Sequence, residues 1–129
     1  MTTGNRVMWA LCLFLAAEWI WFGLMHFTLH DETIAQMPPF IPFKSALATL
    51  TGVWEVATGL ALLVPRWRRL AALSSLLLLL AISPAIVHIT LNPDPSMAPP
   101  AMAAYFPYVV LPNAVVMAVA SWWVWRRAA

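Results

Sequence analysis

Five polar side chains stand inside otherwise apolar runs: Glu18, His26, Glu55, His88 and Asn113. A charged group at the centre of a bilayer costs about 2.5–3.5 kcal/mol even on the lenient insertion scale, so such residues turn inward and mark candidate sites. Carboxyl, imidazole and carboxamide groups form hydrogen bonds and exchange protons. Gathered in an apolar surround, they suit a small hydrophobic ligand with a polar head. His26 and His88 could share a metal ion, but no third clear ligand completes a zinc set, and no metal is expected. The single cysteine, Cys12, excludes an internal disulfide and any CxxC motif. No nucleophile and base pair and no phosphate loop is visible, so a catalytic constellation is incomplete and enzymatic activity stays open. Each residue also has a structural alternative. Glu55 can be a carboxyl hydrogen-bonded to a tryptophan or threonine, and His30, Asp31 and Glu32 read as solvated loop residues.

The elements that must position these groups follow from composition. Of 129 residues, 63% are hydrophobic and 9% charged, against about 25% charged in an ordinary soluble domain. A chain this short cannot hide so much apolar surface from water, so its solvent must be lipid. Four runs, roughly 7–29, 45–64, 70–91 and 102–125, reach the length of about 20 residues that a spanning helix needs. The expectation is an all-α membrane protein, residues 1–129 forming one antiparallel bundle of four transmembrane helices. The first run is too long for a signal-peptide core and is read as a retained helix. The connection 30–43 contains Pro38, Pro39 and Pro42, which exclude a regular helix from its second half, and it reads as an ordered interfacial loop.

Orientation comes from charge. With four crossings, Arg6, Arg66, Arg68, Arg69, Arg126 and Arg127 fall on one side, and Lys44, Asp31, Glu32 and Asp94 on the other. The positive-inside rule then makes both termini cytoplasmic in a multi-pass protein of the inner membrane. The net charge of +2 is thus orientation signal, and no nucleic-acid partner is implied. Trp67, Trp122, Trp123 and Trp125, beside arginines, read as interfacial anchors.

Counting the helical rise from the arginines puts Glu18, Glu55 and Asn113 near mid-depth and His26 and His88 near the outer boundary, which predicts two polar layers. In the second run Ala48, Gly52, Glu55 and Gly59 form one stripe whose small residues allow close helix approach. Thr51 and Thr58 flank it, able to bond across the interface or back to the backbone. Ser74, Leu77, Ala81, Pro84 and His88 predict a comparable stripe in the third run. Pro84 removes the helical donor of the Leu80 carbonyl, predicting a kink, and Pro107 and Pro112 predict the same in the fourth run.

Four blocks in order, GLMHF (23–27), MPPFIP (37–42), TGVWEVATGLALLVP (51–65) and PAIVH (84–88), resemble the DoxX-like family of small four-helix membrane proteins. The resemblance implies that His26, Pro39, Gly52, Glu55, Gly59 and His88 are the family-pattern positions. Ile86 departs from it, because similar proteins often carry asparagine after the Pro-Ala pair. That family is functionally mixed, and includes subunits linked to quinone-reducing sulfur oxidation and proteins that assist maturation of other redox enzymes.

Three functions follow as expectations. The first is a redox-associated subunit that binds a small hydrophobic or quinone-like molecule near its outer face, with His26, Glu55, His88, Glu18 and Asn113 as the ligand-binding residues. The second is a non-enzymatic assembly or maturation factor that engages a partner protein through its helix faces and loop 30–43. The third is small-solute or ion transport by a homo-oligomer, with Glu18 and Glu55 sharing a proton.

Overall fold

The computed structural model describes residues 1–129 and is all-helical, with no strands. Its helices are α1 (Thr3–Thr28), α2 (His30–Ala35), α3 (Lys44–Leu62), α4 (Arg68–Leu91) and α5 (Phe106–Arg127). Of these, α1, α3, α4 and α5 are long and apolar enough to cross a membrane. Their ends differ from expectation for local reasons. Helix α1 starts at Thr3, not at 7, because the Thr2 hydroxyl accepts the Asn5 N–H at 3.2 Å and caps the polar first turn. Helix α5 starts at Phe106, not at 102, since Pro100–Met102 forms a separate tight turn. Pro107 therefore lies in the first turn of α5, where a missing N–H costs nothing. Only Pro112 lies in the interior of α5, which runs unbroken through it, so the reason for a kink at Pro107 is absent.

The connection 30–43 is half helical. Residues 30–35 form α2, which the proline-based reading as a loop missed, and the proline-rich remainder is irregular as expected. Phe43 ends it with φ 53°, a left-handed conformation uncommon outside glycine, and turns the chain into α3. Phe40 and Phe43 project outward. On the connection between α4 and α5 the Asp94 carboxylate accepts the Ser96 N–H at 2.9 Å, which holds its pKa below the usual aspartate range.

The four long helices form a ring in which α1 packs on α3, α3 on α4, α4 on α5 and α5 on α1. The pairing of α1 with α3 is antiparallel: Gly23 meets Gly52 and Val56, while Gly59 meets Ala16 and Ile20. Glycine is required there. A methyl group on Gly52 would stand 2.7 Å from His26 Cβ and 3.1 Å from the Gly23 carbonyl oxygen. The stripe of Ala48, Gly52, Glu55 and Gly59 is buried as expected. Both threonine roles are realised, with Thr51 donating to its own helix at Leu47 and Thr58 sharing a bond with Ser74 of α4 at 2.8 Å.

On α4 the buried face comprises Ala71, Ala72, Ser75, Leu78, Ile86 and Ile89. The expected stripe lies beside it: Leu77 is half exposed and Ala81 and Pro84 are exposed. Helix α4 is apolar all round, so Pro84 and His88 did not mark its inward side. The core proper, including Cys12, Leu15, Trp19, Leu62, Leu78, Met117 and Val124, fills the half of the bundle nearest the arginines. At its base Arg68 is buried. Its guanidinium stacks 3.8 Å over Trp9, and its Nε–H donates to the Leu62 carbonyl at 3.2 Å. This arginine ties α1, α3 and α4 together instead of lying free at an interface, as the charge pattern alone implied. The other arginines fit that pattern better, with Arg66 near Trp67, Arg126 near Trp122 and Arg127 near Trp123.

Candidate functional site

Beyond the core, towards α2, the helices enclose a cavity of about 890 Å³. Its walls are mostly apolar, and polar groups enter at separate places. Glu18, His26, Glu55 and Asn113 all line it, so four of the five sequence-singled residues share one space. The fifth does not. His88 lines a shallow recess with Phe40 and Val87, and its imidazole is approached by Asn92 one turn later. Ile86, one turn from Ile82 on the buried side of α4, reaches the cavity instead and contributes only apolar surface.

The strongest polar feature is a pair. His26 Nε2 lies 3.1 Å from Glu55 Oε2. On its other side His26 Nδ1 is 2.8 Å from the Ala48 carbonyl, which can only accept, so Nδ1 carries a hydrogen and Nε2 is the nitrogen that turns to the carboxyl. Glu55 is 2% exposed, and its Oε2, though close to the imidazole, lacks an aligned hydrogen-bond partner. A buried polar atom left unsatisfied costs about 1–3 kcal/mol, so the pair stands incomplete as it is.

A second polar station lies across the cavity, where Asn113 Nδ2 donates to Glu18 Oε2 at 3.0 Å. The side chains thus pair as Glu55 with His26 and Glu18 with Asn113. The two carboxyls therefore have different nearest polar partners.

The ends of the cavity are built differently. At the inner end Trp19 Nε1–H donates to Ser75 Oγ at 2.7 Å, and Ser75 bonds Ser121 at 2.7 Å, all three residues being buried. At the outer end Thr33, Gln36, Met37, Pro38 and Ile41 close over it. Gln36 donates to the Met97 carbonyl at 2.7 Å and joins the two outer connections. His30 braces the same corner: its Nδ1 donates to the His26 carbonyl at 2.9 Å, so its Nε2 can accept from the Ser45 hydroxyl at 2.9 Å. The sequence reading had left Gln36, Ser75 and Ser121 aside. Ser75 and Ser121 were legible in principle as hydroxyls in apolar runs; Gln36 was not, because its partner is a backbone carbonyl 61 residues away.

Fold and site together define a class: small all-helical proteins with four membrane-length helices around a polar-stationed apolar cavity. The family model described as a domain of unknown function, DUF8561, matches residues 15–125, and the chain belongs to that family. No curated protein and no solved structure matches it.

Proposed function

We propose that the chain is a multi-pass protein of the cytoplasmic membrane, with both termini on the cytoplasmic side, that binds a small hydrophobic, quinone-like molecule near its outer face. The observation that carries this reading is the His26 and Glu55 pair on the wall of a large apolar cavity, with one carboxyl oxygen unpartnered. A quinone head needs few polar contacts in an otherwise greasy pocket, and a carboxyl beside an imidazole can give or take a hydrogen bond. The DoxX-like resemblance supports a redox-associated role, although His88 lies off the cavity and Ile86 replaces a polar side chain on its wall, so the polar set differs from the one which that resemblance implies.

The test is ligand identification followed by substitution. Protein purified in mild detergent should release a hydrophobic molecule into organic solvent, and a benzoquinone derivative should raise its melting temperature. Glu55→Gln keeps the shape of the side chain but removes the carboxylate, and should abolish most of that rise. An empty extract with no thermal response to quinones would refute the proposal.

A further inference from the structure

Side-chain bonds cross the boundary of the cavity at several places. Below the arginine-side end Trp19, which lines the cavity, is bonded to Ser75 and through it to Ser121, and the opposite end is lined by α2 and the residues after it. The seam between α1 and α5 is bridged by Glu18 and Asn113, although the exposed Trp21 and Val109 of those helices also line the cavity. The seam between α3 and α4 is different. Its side-chain bonds are Trp54 to Ser74 at 2.8 Å, Thr58 to Ser74 at 2.8 Å and Arg68 to the Leu62 carbonyl at 3.2 Å, all in the arginine-side half. Outward of Trp54 no hydrogen bond or ion pair joins the two helices. There α3 offers Leu47, Leu50 and Thr51 and α4 offers Ala81, Pro84 and Ala85, and all six line the cavity. Leu50 is also 66% exposed and Leu47 38%, so this lining is continuous with the outer surface of the bundle.

We infer that the ligand is a tailed amphiphile that enters sideways through the seam between α3 and α4, its polar head reaching His26 and Glu55 while its alkyl chain lies between Leu50 and Ala81. The inference rests on the reading above, which supplies the polar end. The lining supplies the other: 22 of the 31 cavity residues are hydrophobic, which suits a chain and not a water-borne solute. The space, about 890 Å³, is near the top of the roughly 300–1,000 Å³ span of small-molecule pockets, enough for a head and part of a chain. Small residues on the α4 side, Ala81 and Ala85, leave the gap.

The test uses the full chain in phosphatidylcholine vesicles, a benzoquinone carrying a decyl tail with a terminal diazirine, and a tail-less benzoquinone as a second probe. Photolysis should label Leu50, Ala85 and their neighbours in the seam, and an excess of the unlabelled tailed quinone should compete that labelling away. Ala81→Trp, and separately Leu50→Trp on the facing helix, should reduce tailed-probe labelling about tenfold, a change of about 1.4 kcal/mol in occupancy. Both should keep the thermal response to the tail-less probe, which shows that the folded site persists. Ala17→Trp, on the opposite seam, should leave the labelling in place. Labelling confined to outward residues such as Leu80 and Val119, or lost with Ala17→Trp but kept with Ala81→Trp, would overturn the inference. The polar-head reading fails separately, if the tail-less probe gives no thermal response while a plain alkyl diazirine still labels the seam.

Discussion

At the scale of single residues, the direction in which a side chain leaves its helix decides that His26 meets Glu55. Glu55 and His26 stood out because a carboxyl and an imidazole in apolar runs demand an inward position. Counting rise placed them in different layers, since it treats each side chain as level with its own Cα. Side chains in a helix lean towards its N-terminus. Helices α1 and α3 run in opposite directions, so His26 leans inward and Glu55 outward, and they converge to 3.1 Å. The hydroxyl relay was overlooked for a simpler reason: serine is common enough in apolar helices to draw no notice. Its removal should be costly. Ser75→Ala leaves the Trp19 indole N–H and the Ser121 hydroxyl without their shared partner, and should lower stability by about 1–3 kcal/mol. Ser121→Ala, which spares the indole bond, should cost less, and thermal melting in detergent compares the two. Gly52→Ala should likewise destabilise by about 1–3 kcal/mol, because the added methyl meets Gly23 backbone that cannot yield.

At the scale of elements, the four long helices were readable from length and hydropathy, and the small-residue face of α3 from its spacing. The inward face of α4 was not readable. Where every side of a helix is apolar, the period that betrays a buried stripe is lost, and a proline or histidine then misleads. Pro84 illustrates the compensation a helix finds. The Leu80 carbonyl it strands is taken up by the Ser83 hydroxyl, which donates at 2.7 Å. The two residues should therefore be coupled. Ser83→Ala in the natural chain should destabilise by about 0.5–1.5 kcal/mol, the net worth of a hydrogen bond, and have almost no effect in a Pro84→Ala background, where residue 84 again donates along the helix. Equal losses in both backgrounds, measured by a double-mutant cycle, would show that the hydroxyl does not serve that carbonyl. The helix starts at Thr3 and Phe106 depended on a hydroxyl cap and on proline placement, local signals that a hydropathy window averages away.

At the scale of the whole molecule, the outward-facing apolar residues, among them Leu80 at 71% and Val119 at 62% exposure, agree with a lipid surround. The topology drawn from the arginines makes a direct prediction. In inverted and right-side-out vesicles, a maleimide that cannot cross membranes should reach cysteine at Trp67→Cys from the cytoplasmic side and at Asp94→Cys from the other, with Cys12 buried and silent. Modification of both from one side would break the four-crossing arrangement. The bonded floor made by Trp19, Ser75 and Ser121 has a consequence of its own. If the proposed ligand moors beside His26, a chamber blind at its arginine-side end is a berth and not a corridor: the molecule must depart by the door it used, unless those three side chains part company first.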